Sequence, residues 1–169
     1  NREFCLETVQ KHPNRFVTGF TLIETSGQEL SAFEMFLKNP ECHFLKIHPR
    51  LTGIAPLAKE LKPFLLLSQN RGCPVLFDTY IRGNKLLLDD LTPMVYDQLA
   101  RQYPELKIIL AHAGVFRVLE ALAVAQTHPN VYLEMSHVLM YFEDSALLQD
   151  MVFAMNKMDP KDLDIFVAN

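Results

Sequence analysis

The sequence predicts an α/β fold, a TIM-type (β/α)8 barrel of which residues 1–169 supply about six strands as a single domain. Three observations predict it. Short apolar runs alternate strictly with helical stretches, at about 30 residues per unit, the length of a right-handed parallel βαβ repeat. Five of the runs carry polar residues near their C-terminal ends on one face and apolar residues on the other. A doubly wound sheet buries both faces under helices and would strand those polar groups, whereas the inner face of a barrel opens at a mouth.

Composition sets the outer bounds. With 169 residues, 49% of them hydrophobic, the chain can bury one sizeable core. Its net charge is −4 and its Lys and Arg residues are scattered, so neither a nucleic-acid nor a membrane-surface partner is expected. No run approaches about 18 consecutive apolar residues, and the start Asn1-Arg2-Glu3 is unlike a signal peptide, which reads as a soluble, cytoplasmic chain. Cys5, Cys42 and Cys73 contain no Cys-x-x-Cys pair and read as buried free thiols rather than a disulfide framework. The first residue is not methionine and the last six, DIFVAN, stop inside a strand-like run. The domain is therefore expected to be an excerpt, incomplete at both ends, with two βα units most simply before Asn1 and a last helix after Asn169.

In chain order, residues 2–11 read as a helix closed by His12-Pro13-Asn14, and residues 16–24 as the first strand. A Ser-Gly break precedes a helix with apolar positions at Leu30, Phe33, Phe36 and Leu37. The second strand is HFLKIHP (43–49), followed by a long helix after Pro56, and the third is CPVLFDTYI (73–81). Thr92 with Pro93 behind it reads as a helix cap and first position. That helix ends at Pro104, and KIILAHAG (107–114) then forms a fourth strand whose β-branched pair Ile108 and Ile109 suits a strand covered on both faces. A helix over 116–126, the strand VYLEMS (131–136), a helix over 147–157 and the strand DIFVAN complete the pattern. Three helix exits share a phrase, QKHPNRF, RQYPELK and QTHPNVY. Proline forces the residue before it out of the helical region, so His12 and His128 read as structural helix-exit residues, away from the chemistry.

Alternation within each strand assigns faces. Leu45 and Ile47, Val75 and Phe77, Val131, Leu133 and Met135, and Phe166 go to the helix layer. Lys46 and His48, Asp78 and Tyr80, Tyr132, Glu134 and Ser136, and Asn169 go to the interior. In KIILAHAG, His112 shares its face with Ile108 and Leu110, opposite Ile109 and Ala111. His112 stands where the chain leaves the sheet, at the end where α/β folds carry their chemistry.

The series PNRFVTGFTLIE, FLKIHP, CPVLFDTY, LARQYPELKIILAHAG, HPNVYLEMS and DIFVAN resembles the amidohydrolase superfamily. The resemblance is to the amidohydrolase-related group that includes aminocarboxymuconate-semialdehyde decarboxylase and similar metal-dependent hydrolases and decarboxylases. It implies a (βα)8 barrel holding one divalent metal, usually zinc, at the mouth, where zinc with an open position acidifies a bound water. The ligands it implies are a His-x-His pair on the first strand, which would precede Asn1, a histidine ending the fifth strand and an aspartate ending the eighth. A histidine ending the sixth strand, matched by His112, works beside the metal.

Two positions depart from that pattern. Asp78 stands at the fifth-strand histidine, and Asn169 at the eighth-strand aspartate. Asp78 can ligate a cation through oxygen, while Asn169 cannot accept a proton; an aspartate one residue further on would supply that role. The metal positions are thus Asp78 and Asn169, and His112 is the catalytic acid or base, against the plainer reading of a satisfied core histidine. A carboxylate at 78 needs a partner, either Lys46 or a metal. Lys46, His48 and Tyr80 are expected to contact substrate. Lys46 reads more readily as an interior ion-pair member than as a catalyst, although binuclear relatives carbamylate a fourth-strand lysine. Glu134 and Ser136 read as polar lining, and His43 and His137 as surface or loop residues.

The expected activity is hydrolysis, or non-oxidative decarboxylation, of a small carboxylate-bearing molecule with one divalent metal, zinc, bound at the mouth. The partner is that small molecule, and self-association into a homo-oligomer is left open. The rival expectation is a degenerate, metal-free barrel that serves as a binding or scaffold protein.

Overall fold

The computed structural model describes residues 2–12, 15–83 and 85–157. Five strands are present among these residues: β1 (Thr18–Thr21), β2 (Cys42–Ile47), β3 (Val75–Asp78), β4 (Ile108–Ala111) and β5 (Val131–Glu134). They form one sheet in the order β1-β2-β3-β4-β5, every pair parallel. Sequential order with parallel neighbours is how a (β/α)8 barrel is laid down, and the chain forms a partial barrel of this kind. The run DIFVAN and Asn169 lie outside the described residues.

Helices connect the strands: α1 (Arg2–Lys11), α2 (Gly27–Phe36), a single turn α3 (Pro49–Thr52), α4 (Lys62–Arg71), α5 (Val95–Gln102), α6 (Val118–Thr127), α7 (Val138–Phe142) and α8 (Leu147–Lys157). Ser26 caps α2, its hydroxyl accepting from the Glu29 N–H at 3.2 Å. Two expectations shift. The stretch after Pro56 is a 3-10 turn, Lys59–Leu61, before α4 starts at Lys62. Thr92 does not cap α5; its hydroxyl donates back to the Asp89 carbonyl at 3.2 Å, and the helix begins at Val95 after Pro93 has closed a turn.

The core lies between the sheet and the helices. Phe20 of β1 packs on Phe33 and Phe36 of α2 with ring centroids 5.1 and 5.5 Å apart, and Phe33 stacks on Phe64 of α4 at 6.2 Å. Phe77 of β3 meets Tyr96 of α5 at 5.1 Å. Each such buried ring contributes about 1.5–3 kcal/mol in apolar burial. On the other face Gly19 lies under the ring of Phe44, so that a Cβ added at Gly19 would force the ring to move.

Register corrects one face assignment. Lys46 is level with Leu76, Leu76 with Ile109 and Ile109 with Tyr132, while Asp78, Ala111 and Glu134 form the next inward level. Ile109 and Ala111 therefore face the interior with Leu76, and Ile108 and Leu110 belong to the helix-side core, the reverse of the alternation counted from His112. The strand stops at Ala111, so His112 does not continue its alternation.

Two of the helix-exit phrases, RQYPELK and QTHPNVY, meet at the far end of the sheet. His128 ends α6 with Nε2 2.7 Å from Asp97 Oδ1, and Asn130 Nδ2 donates at 3.0 Å to the carbonyls of Tyr103 and Leu106.

Candidate active site

The strand ends gather a cavity of about 380 Å³ lined by Lys46, His48, Arg50, Asp78, Tyr80, Arg82, His112, His137 and Tyr141. Lys46, Asp78 and His112 come together at one mouth, with His48 and Tyr80 beside them. At the centre is Asp78, 1% exposed at the end of β3. Its Oδ2 lies 2.6 Å from Arg50 Nε and 3.5 Å from His48 Nδ1, and its Oδ1 lies 3.4 Å from His112 Nε2. Burial raises the carboxyl pKa, but the neighbouring His112 and His48 imidazoles together with the charge and hydrogen bond of Arg50 outweigh it and hold the group well below the usual carboxylate range.

The partner of Asp78 is Arg50 rather than Lys46. Lys46 sits a full level lower on β2, opposite Leu76. Arg50 reaches further because Pro49 starts the single turn α3 directly after His48, and Gly53, in the left-handed region at φ 80, closes it. That turn lifts the guanidinium over the end of β3, where it also lies over the Tyr80 ring at 5.2 Å. Among the described residues Lys46 has no hydrogen bond or ion pair, and none of their carboxylates is paired with it.

His112 is delivered by an unusual turn. His112, Ala113, Gly114 and Val115 all have positive φ, at 63, 44, 73 and 47°, a region that costs non-glycine residues energy and clusters at functional sites. Thr79 holds the turn: its buried hydroxyl donates to the Ala111 carbonyl and accepts from the Gly114 N–H at 2.8 Å. Glu134 holds the neighbouring backbone, accepting from the Ser136 N–H at 2.6 Å, the Ser136 hydroxyl at 2.9 Å and the His112 N–H at 3.3 Å. His112 Nδ1 is 2.8 Å from the Ser136 carbonyl, an oxygen that only accepts, so Nδ1 carries a proton and Nε2 is the nitrogen free to gain or lose one. Burial lowers the imidazole pKa, but Asp78 and the Ser136 carbonyl outweigh it and the net shift is upward.

Tyr80 is buried and its ring meets His112 edge-on at 5.7 Å and Tyr141 at 5.4 Å. Burial and the neighbouring Tyr141 push its phenol up to about 12, so it stays a neutral donor. Four lining residues escaped the strand reading. Arg50 comes from the turn after β2, Arg82 from the segment after Tyr80, Tyr141 from α7, and His137 from the left-handed residue before α7, where it lies 5.7 Å from the His112 ring instead of apart from the site. The phrase His-Pro-Arg directly after a strand was the available signal for Arg50, since proline at a helix start predicts a turn over the strand end.

A partial parallel barrel with ionisable side chains converging on its C-terminal mouth places the chain among the TIM-barrel proteins whose active sites are built from βα loops. The amidohydrolase family model matches residues 1–157, and the chain belongs to that family. Among solved structures it is similar to an uncharacterized TIM-barrel protein from Bordetella bronchiseptica, with TM-score 0.77 and 20% identity over 93% of this chain and 55% of that one. It is also similar to a dihydroorotase from Campylobacter jejuni, with TM-score 0.53 and 20% identity over 92% of this chain and 46% of that one. The chain thus spans about half the length of these neighbours. No curated protein matches it. Among the described residues no helix is long and apolar enough to cross a membrane.

Amidohydrolases generally use a divalent metal. Two donors here face each other, Asp78 Oδ1, which lacks a well-formed hydrogen bond, and His112 Nε2. Charge decides against them as they stand. The carboxylate is already matched by Arg50, and Lys46 and Arg82 line the same cavity. Each positive charge about 5 Å from a guanidinium costs about 3 kcal/mol at an effective dielectric of about 20, and a dication twice that. Among the described residues no group of three or more His, Cys, Asp or Glu side chains is arranged to hold an ion. With Arg50 in place the set does not fit a divalent cation.

Proposed function

We propose that the protein hydrolyses a small carboxylate-bearing molecule at this mouth, with His112 as the general base. One observation carries the reading: His112, its Nε2 3.4 Å from Asp78 Oδ1, lines a cavity in which, among the described residues, a single buried carboxylate is outnumbered by Lys46, Arg50 and Arg82. A substrate carboxylate supplies the missing negative charge, and Lys46 is the cation available to meet it. His48 and Tyr80 border the same space and would orient the molecule.

In the reaction water adds to the scissile carbonyl carbon, and Nε2 of His112 takes the proton that water gives up. The bond to the leaving group then breaks, and His112 returns the proton to the departing atom. Asp78 acts through His112: its Oδ1, 3.4 Å from Nε2, stabilises the imidazolium that exists between the two transfers. Such a positioned base contributes about 10²–10⁴-fold in rate.

The metal-free binding or scaffold protein is favoured by one observation, the Arg50–Asp78 pair that neutralises the family's ligand position. A panel of small carboxylate-bearing amides, lactones and decarboxylation substrates, given to the full-length protein and to a His112→Asn variant, separates the readings. Hydrolysis that is lost in the variant supports the proposal. Carbon dioxide release without hydrolysis replaces it with decarboxylation, and binding without turnover replaces it with the scaffold.

A further inference from the structure

We infer that Arg50 occupies, at Asp78, the electrostatic place of the divalent cation that amidohydrolases generally use, so that a cation can engage Asp78 only where the guanidinium is absent. A carboxylate 1% exposed requires a positive partner, and the one it has is Arg50 Nε at 2.6 Å, on the side of the carboxylate away from His112. Arg50 is not a surface side chain that happens to lie near. Its backbone is fixed by the turn between Pro49 and Gly53, and the Gly83 segment packs so closely on it that a Cβ at Gly83 would stand 3.3 Å from both the Arg50 Cβ and its carbonyl oxygen. The Tyr80 ring, 5.2 Å from the guanidinium carbon, supports its other face. Meanwhile Asp78 Oδ1 and His48 Nδ1 are buried without a well-formed hydrogen bond. Asp78 Oδ1 is thus a donor atom left open toward His112, and the chain carries in its own sequence, at Arg50, the charge that opposes a cation there.

This inference does not rest on the proposed hydrolysis, because its readout is equilibrium binding of cobalt(II). Cobalt is titrated into the full-length protein and into Arg50→Met, Arg82→Met and Arg50→Met/Asp78→Asn variants, with occupancy followed by visible absorbance and by metal analysis after dialysis. The expected result is a cobalt affinity at least about tenfold higher in Arg50→Met than in the parent protein, equivalent to about 1.4 kcal/mol. The gain should disappear in the double variant, and Arg82→Met, which removes an exposed cation from the same cavity, should change affinity by less than about threefold. Equal affinity in the parent and Arg50→Met, or an equal gain in Arg82→Met, overturns the inference. Removing Arg50 leaves Asp78 buried and unpaired, so Arg50→Gln is made in parallel. If neither variant folds alone, refolding with cobalt decides: recovery of the native circular dichroism supports the inference, and failure to recover it overturns it.

Discussion

Arg50 Nε lies 2.6 Å from Asp78 Oδ2 across 28 positions of sequence, joining the turn after β2 to the last residue of β3. The two partners are buried unequally: the Asp78 side chain is fully buried, whereas the Arg50 side chain is 27% exposed. Removal of one partner is therefore not equivalent to removal of the other. Arg50→Met leaves a carboxylate that cannot reach water and should cost about 3–5 kcal/mol, the range for a broken buried pair. Asp78→Asn leaves a guanidinium that can turn outward and should cost about 1–2 kcal/mol, nearer the value of a lost hydrogen bond to a charged group. Urea denaturation of the two variants measures the difference, and equal losses would contradict the burial argument.

The pH dependence of activity follows from His112. As a general base the imidazole must be neutral, and its pKa is raised above 6.5, so the rate should climb with pH to a midpoint above that value. Asp78→Asn removes the carboxylate that stabilises the imidazolium, and the midpoint should move down while the maximal rate falls by about 10–100-fold. A pH–rate profile of both proteins on the same substrate checks the pair of shifts.

Stability depends on pH through the same two groups. A histidine raised in the folded state stabilises fully below its unfolded pKa, near 6.5, and that contribution is lost as pH climbs through the folded value. Asp78, depressed on folding, stabilises above its ordinary 3.8 and loses that contribution as pH falls through its lower folded value. Unfolding free energy should therefore decline on the alkaline side of 6.5 and again on the acid side of 3.8. Asp78→Asn should flatten both limbs in urea melts taken across the range.

The left-handed turn that carries His112 should be sensitive to residues that touch no substrate. Thr79→Val removes the hydroxyl that serves both the Ala111 carbonyl and the Gly114 N–H; the carbonyl keeps the Thr79 N–H, while the buried Gly114 N–H loses its partner at about 1–3 kcal/mol. Gly114→Ala places a Cβ 2.7 Å from Pro93 Cγ at φ 73 and should cost at least about 1 kcal/mol. Both variants should lower turnover more than they raise KM, because the base is displaced while Lys46 stays on β2. Thermal melts alongside steady-state kinetics test the two together.

The inward set of the sequence reading was largely visible because it depends on local alternation. Lys46, Asp78 and Glu134 face the interior as their parity predicts, on strands whose neighbours Leu45, Val75, Phe77 and Leu133 are plainly core. Parity failed in KIILAHAG, where His112 was counted as part of the strand although the chain had already turned out of it. It was equally blind to Arg50, Arg82, His137 and Tyr141, which stand on no strand.

Sequence by itself determined the alternation of strand and helix and which strand ends carry ionisable groups, because proline, periodicity and side-chain parity act over a few residues at a time, and the likeness of its strand-end phrases to a known family pointed to the amidohydrolases. Only the tertiary structure decided that Arg50 rather than Lys46 neutralises Asp78, and that His112 enters the mouth through four consecutive left-handed residues. Those outcomes depend on register between strands and on the backbone that Thr79 and Glu134 hold from neighbouring strands, and contacts between segments so far apart in the chain leave no periodic trace in it.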